Sequence, residues 1–491
     1  MEHTVGHSPA ASHGHGHTQT PPDAERSGSG VRWSVLVVLC LAQFMVILDV
    51  TVANVALPSI GADLRLSPAT IPWVVSAYTL VFGGFLLLGG RLSDIFDRRA
   101  VFLAGLAVFT IASVACGLAA NGGMLIVSRL VQGAGAAFLS PAALSIITTT
   151  FHGADRNKAL GAWAAVGGTG SAIGVLVGGA LTSGPGWEWA FFINVPVGVA
   201  VLAATLRLLP RSAGRGTQGG IDWLGAVLMT TATAAVIYGL ITAGHAGWSA
   251  PGTYLPIIVG VVLAVAFVLV ERSAAKPLVP LGVVGKRTVV SGGVSMLAGA
   301  GLLIAGFFLC SLYLQNVAGF SAMQTGLTFL PVALGMVVAV HLCAHGLAHA
   351  GWRPIAVIGM VLAAGGFFWL SRISGDPSAL GEVLPGFVIA AAGLACMFIV
   401  ATTSAMHGVD HAEAGLHSGL INTYHEFGAS LGIALVAAIA GASVGGAHTT
   451  TLTGFQDAFL ACAIVAIIVA VIAPVLLPAG KPDSDGPIFA H

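Results

Sequence analysis

Charged side chains are scarce in this sequence. Only 8% of its 491 residues are Asp, Glu, Lys or Arg, whereas 56% are hydrophobic. Soluble domains carry roughly 25% charged residues, so this composition excludes an ordinary soluble protein. Apolar runs of about 20 residues, the length that an α-helix needs to cross a bilayer, recur from Trp33 almost to the end of the chain. The sequence therefore predicts an all-α polytopic membrane protein surrounded by lipid.

The apolar runs predict fourteen transmembrane helices. They lie at residues 34–57, 71–90, 100–119, 123–148, 158–182, 190–210, 221–243, 254–271, 288–313, 323–343, 353–372, 382–404, 416–442 and 456–477. Lys and Arg concentrate in the two tails and in the loops after the even-numbered helices. The positive-inside rule then places both termini in the cytoplasm, and we expect a multi-pass protein of the plasma membrane.

Motifs of other protein classes are missing. We find no P-loop, zinc motif or nucleophile elbow, and the loops are too short for a catalytic domain. This argues against an enzyme, a resident metal and direct ATP driving, and we expect no nucleic-acid partner. The six cysteines fall singly within apolar runs without metal-like spacing, so we expect them to be buried small side chains. They are Cys40, Cys116, Cys310, Cys343, Cys396 and Cys462.

The first 33 residues are polar and rich in His and Gly. Such a composition is typical of a disordered tail, which we expect in the cytoplasm. His13, His15 and His17 alternate with glycine and could hold a metal weakly, but a solvated tail is the preferred interpretation.

Three charged residues lie deep inside the predicted spans: Asp49, Arg129 and Glu426. An ionisable group at that depth is costly and usually faces an internal cavity. Asp49 lies in "FMVILDVTVANVALP", where we expect Asn54 near the same helical face and Pro58 at the end of the helix. The alternative for Asp49 is a purely structural pairing with a buried cation.

Arg129 and Glu426 each have polar neighbours at helical spacing. Gln132 follows Arg129 by one turn and shares its face. Arginine does not lose its proton, so it cannot carry one, but it can alter the proton affinity of a nearby carboxylate. Asn422, Glu426 and Ser430 form a polar stripe that either lines a pathway or holds helices together. His425 is expected to point about 100° away from it.

Glycine is abundant, with 67 residues. In the fifth span, the segment "GGTGSAIGVLVGG" has glycines spaced three or four residues apart. This spacing places them on one helix face, where they form a groove. Such grooves allow close helix packing in membranes, and we expect this one to serve packing or sliding at the interface between the two repeats. The glycines concerned are Gly167, Gly170, Gly174 and Gly178.

Together these motifs resemble a known family. "GGRLSDIFDRRAVFLAG" is similar to the loop signature of the major facilitator superfamily, with Gly90, Leu92, Asp94, Arg98 and Arg99 at its positions. "LDVTVANVALP", "RLVQGAGAA", the fifth-span glycines, "WEWAFFINVPVG", "DWLG" and "GLHSGLINTYHEFGASLG" resemble motifs of its fourteen-span drug:proton antiporters, the multidrug and antibiotic efflux transporters. The resemblance covers residues 30–480.

The sequence also departs from that family's pattern. The loop glycine is replaced by Asp97 and the following arginine by Ile95. Val175 stands in place of a proline, Glu188 in place of an arginine, and His349 in place of an acidic residue. These differences identify a divergent member.

The resemblance implies two six-helix bundles at residues 34–210 and 288–477, two inserted helices within 211–287, and tails at 1–33 and 478–491. It implies a midplane substrate site between the bundles and alternating access. It also implies proton coupling through Asp49 and Glu426, with Arg129 tuning the carboxylate. The expected cavity residues are Phe44, Asn54, Gln132, Tyr313, Asn422 and Tyr424, with Trp73 and Tyr78 as further aromatic candidates. The expected gate residues are Gly90, Asp94, Arg98, Arg99, Gly174 and Gly178.

The resulting hypothesis is a proton-driven antiporter that exports small amphipathic molecules, needs no cofactor and is a monomer. One alternative is a dedicated exporter of a single endogenous metabolite or lipid-related cargo. Another is a transporter-like receptor that no longer transports.

Overall fold

The computed structural model describes residues 22–209, 222–274, 277–279, 281–374, 379–407, 409, 414–442 and 452–480. The predictions for residues 1–21, including the tail histidines, and for residues 481–491 lie outside this part of the chain.

The described chain folds into sixteen α-helices. They are Pro22–Asp63 (α1), Ile71–Ile95 (α2), Arg98–Gly117 (α3), Gly122–Thr150 (α4), Gly153–Ser183 (α5), Trp189–Phe192 (α6), Asn194–Leu208 (α7), Trp223–Ala246 (α8), Pro251–Ser273 (α9), Leu281–Val284 (α10), Arg287–Asn316 (α11), Ala322–Ala350 (α12), Trp352–Leu370 (α13), Ala379–Ala405 (α14), Ala414–Ala442 (α15) and Leu452–Leu476 (α16). Fourteen segments are long and apolar enough to cross a membrane, with α6 and α7 forming one of them together. The predicted number of spans is confirmed.

Local sequence fixes where several of these helices begin and end. At the start of α4, the side chain of Asn121 accepts a hydrogen bond from the backbone N–H of Met124. Ser321 and Gln324 form a reciprocal capping box at the start of α12. The same helix ends at Gly351, whose φ of +83° is accessible to glycine without steric cost. These caps satisfy backbone groups that a helix terminus leaves open.

The two halves of the chain repeat one packing scheme. In the first half α1 packs on α5 and α7, α2 on α4, and α3 on α4 and α7. In the second half α11 packs on α15 and α16, α12 on α14, and α13 on α14 and α16. An arginine at the start of the third helix bonds the end of the last helix in each half: Arg99 Nη2 to Leu206 O (3.0 Å) and Arg353 Nε to Leu477 O (3.1 Å). We call these halves the first and second bundles.

The bundles meet along two seams, α2 against α15 and α5 against α12, and α1 also contacts α11. The inserted hairpin of α8 and α9 lies over the first seam, because α8 packs on both α2 and α15 while α9 packs on α8. One seam is thus covered by protein.

The first helix is longer at both ends than the sequence predicted. Pro58 does not end it, since α1 continues to Asp63. A proline removes one N–H donor and normally breaks a helix, but the second bundle supplies a replacement donor here. At the other end α1 begins at Pro22, so residues 22–33 are helical and the expected disorder there is wrong. Extending an existing helix is far easier than nucleating one.

Two cysteines are paired, contrary to the prediction of single thiols. Cys343 of α12 and Cys396 of α14 form a disulfide with a Cα–Cα distance of 5.4 Å. They are 53 residues apart, a separation that gives no pairing signal in the sequence. Cys116, Cys310 and Cys462 are buried free thiols, as predicted.

Candidate functional site

Asp49 is the centre of a buried polar network in the first bundle. The residue is 1% exposed, and its carboxylate accepts three hydrogen bonds. The donors are Arg129 Nη1 at 2.5 Å, Gln132 Nε2 at 2.7 Å and Asn194 Nδ2 at 2.8 Å. A carboxyl group that only accepts has the hydrogen-bond pattern of an ionised carboxylate. The structure therefore brings together three residues that the sequence singled out separately: Asp49, Arg129 and Gln132.

Arg129 links this network to α2. Its Nε donates to the backbone carbonyl of Val74 (2.9 Å), and its Cζ lies 4.3 Å from the centroid of the Tyr78 ring. Nη1 also donates to Gln132 Oε1 (2.7 Å). Attraction and desolvation roughly cancel for a fully buried ion pair, but removal of one partner leaves the other charge buried without compensation. The network therefore depends on both charges.

Two members of the network were missed by sequence reasoning. Asn194 is the first residue of α7, and Ser113 of α3 accepts a hydrogen bond from Gln132 Nε2 (2.9 Å). Asn194 is 1% exposed and Ser113 is fully buried. Asn194 stands in the motif "WEWAFFINVPVG", so a signal existed. Burying a neutral polar side chain in an apolar span costs less free energy than burying a charge. Such a residue is therefore a weaker sign of a functional site in the sequence.

The network is enclosed by helices of the first bundle. Asp49, Arg129, Gln132 and Asn194 are each at most 1% exposed. In this conformation Asp49 does not line an accessible cavity, although the family resemblance implies that it faces one. In this conformation the carboxylate is closed off from solvent.

Asn54 is not part of this network, contrary to the prediction that it shares a face with Asp49. Five residues advance a helix by a net rotation of about 140°, which turns Asn54 away from Asp49. Its Nδ2 donates to Val50 O (2.9 Å), and its backbone carbonyl accepts a hydrogen bond from Ser311 Oγ of α11 (2.9 Å). Because Pro58 has no N–H, this carbonyl has no donor within α1. The second bundle completes the hydrogen bonding of the first.

A second bond reinforces the same contact. Gln315 Nε2 of α11 donates to the carbonyl of Val55 (3.0 Å) and to Ser311 Oγ (3.2 Å). These residues lie in the last turns of α11 and in the second half of α1. Both bonds therefore join the bundles on the membrane side opposite to the one at which α1 begins, which we call the distal side.

The two predicted gate glycines of α5 pack within the first bundle. A Cβ added to Gly174 would lie 2.8 Å from Thr51 Cβ, and one added to Gly178 would lie 3.0 Å from Val52 Cα. The groove of Gly170, Gly174 and Gly178 therefore holds α1, whereas nothing packs on Gly167, and the prediction of a groove at the interface between the repeats is wrong.

The residues that do join α5 to α12 are different. A Cβ on Gly179 would lie 2.9 Å from the carbonyl oxygen of Ala322, and a Cβ on Gly326 would lie 2.5 Å from that of Val175. The backbone N–H of Met323 donates to the side chain of Ser183 (3.0 Å). All of these contacts involve the distal ends of α5 and α12, so this seam is also closed on the distal side.

Glu426 lies on the seam between α2 and α15. Its side chain is 12% exposed, and Oε1 is 3.1 Å from Nδ1 of His425, which was expected to point away from it. A Cβ on Gly83 of α2 would lie 2.6 Å from the Cβ of Glu426. One turn further on, Ser430 Oγ is 2.5 Å from Thr79 Oγ1 of α2. This part of the polar stripe holds helices of the two bundles together.

The predicted cavity residues are dispersed over the molecule. Asn422 is exposed, while Phe44, Trp73 and Tyr424 are half-buried. Tyr313 is fully buried, with its ring edge-on to Phe455 at 5.7 Å. A cavity of about 340 Å³ lies elsewhere, where α13 ends and α14 begins, and contains none of the predicted residues. It is lined by Gly365, Phe368, Trp369, Arg372, Ile373 and Glu382.

The predicted gate loop is organised around Asp97, the residue that replaces the family's glycine. Asp97 caps α3 by accepting a hydrogen bond from the backbone N–H of Arg99 (3.1 Å). The Arg99 side chain bonds the end of α7, where the helix dipole favours a cation. Both contacts stay within the first bundle. Gly90 and Asp94 lie in the last turns of α2, and Arg98 is half-buried.

Comparison with known sequences is consistent with this architecture. The Major Facilitator Superfamily profile matches residues 39–433. The cephamycin export protein CmcT of Amycolatopsis lactamdurans is 39% identical over 437 residues, which cover 88% of this chain and 90% of that protein. The puromycin resistance protein pur8 of Streptomyces alboniger is 39% identical over 411 residues, covering 82% and 81% of the two chains.

Solved structures show the same fold. A bacterial homologue of the human lysosomal transporter Spinster, in an inward-facing and unoccupied conformation, matches with a TM-score of 0.64 over 93% of this chain and 98% of that one. An autoinhibited POT-family peptide transporter matches with a TM-score of 0.68 over 94% and 100% of the chains. The sequence identities are 18% and 13%, so this likeness shows the fold alone. The predicted major facilitator fold is confirmed.

Proposed function

The chain belongs to the major facilitator superfamily, and from this premise we propose that it is a proton-coupled exporter of small amphipathic molecules such as antibiotics. The family and the relatives are transporters, so the chain is a multi-pass membrane transporter and not an enzyme. The names of the two relatives, an export protein and a resistance protein for antibiotics, support this choice of cargo.

The proposal places the transporter in the plasma membrane as a monomer, with both termini in the cytoplasm. The proton gradient drives it without a cofactor. In this orientation the distal side is the outside. The bonds from Ser311 and Gln315 to α1 and the glycine contacts between α5 and α12 then close the outside. Substrate would enter the midplane site from the cytoplasm in this conformation.

Proton coupling is assigned to the Asp49 network. In its present form the carboxylate is satisfied by three donors. Protonation would turn one of its oxygens from an acceptor into a donor, and the bond from Arg129 would be weakened most because it is the charged one. Arg129 would then be free to change its contacts with Val74 and Tyr78 on α2.

The network lies close to two contacts between the bundles, one from α1 to α11 and one from α2 to α15. Asp49 lies five residues before Asn54, whose carbonyl bonds α11. Tyr78 lies next to Thr79, which bonds Ser430 of α15. A rearrangement of Asp49 and Arg129 therefore acts on the two helices of the first bundle that hold the second. We assign to Glu426, with His425 beside it, the role of a second proton or cation site on the seam itself.

The observation that carries this proposal is the enclosed Asp49–Arg129 ion pair, 0% exposed on both side chains. Its direct test is transport. Everted membrane vesicles with and without the protein would be energised with a proton gradient and given a panel of cationic and neutral amphiphiles. Uptake that needs both the protein and the gradient supports the proposal. Uptake that survives dissipation of the gradient contradicts proton coupling.

The same panel tests a narrower function. Each of the two relatives is named after a single antibiotic, which favours an exporter of one compound class over a broad multidrug pump. Uptake of one chemical class from the panel would establish the narrow function. Uptake of unrelated cations and neutral compounds would establish the broad one.

A further inference from the structure

We propose that Asp222 and Glu271 share one proton and form a proton-binding site at the foot of the inserted hairpin. This site lies outside the Asp49 network. It joins the start of α8, the end of α9 and the segment that leads on towards α11. The proton would stabilise the foot of the hairpin of α8 and α9, which covers the seam between α2 and α15.

The two carboxyl groups meet over Gly225. Asp222 caps α8, since its Oδ1 accepts a hydrogen bond from the backbone N–H of Gly225 (2.7 Å). Glu271 Oε2 accepts one from the backbone N–H of Val279 (3.2 Å). The remaining oxygens converge: a Cβ on Gly225 would lie 2.6 Å from Glu271 Oε1 and 2.8 Å from Asp222 Oδ2. Each carboxyl group thus uses one oxygen for a backbone amide and turns the other towards its neighbour.

Neither of the converging oxygens has another partner. Both are buried and unpaired among the described residues, and Glu271 is only 3% exposed. Glu271 is buried and Asp222 is half-buried, and two adjacent carboxylates in such a site repel each other and cannot both be ionised at low cost. A single proton between Oε1 and Oδ2 removes this repulsion and satisfies both atoms.

The described residues around the pair offer no competing charge. Asp222 is the ionisable group that faces Glu271 among the described residues. Arg272, the next residue on α9, is exposed and forms no ion pair with either carboxyl group. The neighbouring residues Ala226, Leu278 and Val279 belong to an apolar cluster with side chains of α2, α11 and α15. Two unpaired oxygens are enough to hold one proton. We therefore assign a proton, and not a larger cation, to this pair.

The shared proton has a definite consequence for stability. A carboxyl group that is protonated in the folded protein at a pH where the unfolded chain would be ionised adds stability at low pH. That stability is lost as the pH rises. Loss of the proton would leave two adjacent anions and weaken the amide bonds at Gly225 and Val279. We expect the change to appear first at these two amides, which form the cap of α8 and the contact of α9 with the segment that follows it.

The test compares the full-length protein with Glu271→Gln and Asp222→Asn in detergent. Either amide can donate to the remaining carboxylate without a titratable proton, and asparagine also caps helices well. Glu382→Gln is the matched control, because Glu382 also accepts a backbone N–H, from Ser374, but is only half-buried. The melting temperature and amide hydrogen exchange around Gly225 and Val279 would be measured from mildly acidic to mildly alkaline pH.

We expect the wild type and the control to lose thermal stability as the pH rises and to lose exchange protection at the two amides. Either pair variant should lack this part of the pH dependence. Wild-type and variant profiles that run parallel would overturn the proposal. So would a wild-type melting temperature that falls on chelation of divalent cations while both variants stay unchanged, since the pair would then hold a metal.

Discussion

Ser311 of α11 donates its hydroxyl proton to the backbone carbonyl of Asn54, the carbonyl that Pro58 leaves without a donor in α1. The distance is 2.9 Å. A defect in the hydrogen bonding of one bundle is thus completed by a side chain of the other. The bond requires the bundles to be closed on the distal side, so under the proposed mechanism it belongs to one conformation of the transport cycle.

Replacing Ser311 with alanine should shift the protein away from this conformation. The change removes one hydrogen bond and leaves a buried carbonyl unsatisfied, at a cost of about 1 kcal/mol, or roughly a five-fold change in the conformational equilibrium. The readout is the fraction of molecules open on the distal side, measured by distances between spin labels at the distal ends of α5 and α12.

Ser291→Ala is the matched control, because Ser291 is also a buried serine of α11 but bonds a carbonyl of its own helix, Thr288 O. It should leave the distance distribution unchanged. An equal shift in both variants would mean that the cross-bundle bond has no special role.

Gly326→Ala should hinder distal closure more strongly. The new methyl group would lie 2.5 Å from the carbonyl oxygen of Val175, so α5 and α12 would have to move apart. We expect slower transport and a larger population open on the distal side. Gly167→Ala provides the comparison, because nothing lies within 4 Å of a Cβ there, and it should transport at the wild-type rate. Normal transport by Gly326→Ala would show that this seam need not close so tightly.

Removal of one partner of the central ion pair should cost stability. Arg129→Ala leaves the Asp49 carboxylate buried without its cation, which destabilises a protein by about 3–5 kcal/mol. The double variant Asp49→Asn with Arg129→Gln removes both charges and should recover much of the loss. Thermal melting of the purified proteins measures this. If the double variant is as unstable as Arg129→Ala, then shape and not charge decides the stability of the network.

Much of this fold can be predicted from the sequence, because the bilayer strongly constrains the length and polarity of each transmembrane helix. About twenty consecutive apolar residues predict a transmembrane helix, and this rule is sufficient to find all fourteen spans in the sequence. The scarcity of charge in the membrane also singled out Asp49 and Arg129. The pairing of these two residues could not be predicted from the sequence. They are 80 residues apart in the chain, and their contact depends on how α1 packs against α4.

The predictions that proved wrong share one cause. In each case a residue far away in the chain changes the outcome that the local sequence predicts. Pro58 ends a helix unless another element supplies the missing donor, and Ser311 is 257 residues from the carbonyl that it serves. Three of the fifth-span glycines do form a packing groove, but not at the interface between the repeats. Their partner, α1 and not α12, could only come from the three-dimensional arrangement.

The central claim is that Asp49 carries the proton, and the most direct measurement is substrate-driven proton release in everted vesicles. Wild type would be compared with Asp49→Asn and with Asp63→Asn, a control on the same helix whose oxygen can still accept from Trp187 Nε1. We predict that a transported compound collapses the pH gradient in the wild type and in Asp63→Asn but not in Asp49→Asn. An equal response from Asp49→Asn would contradict the account and make Glu426 the next candidate.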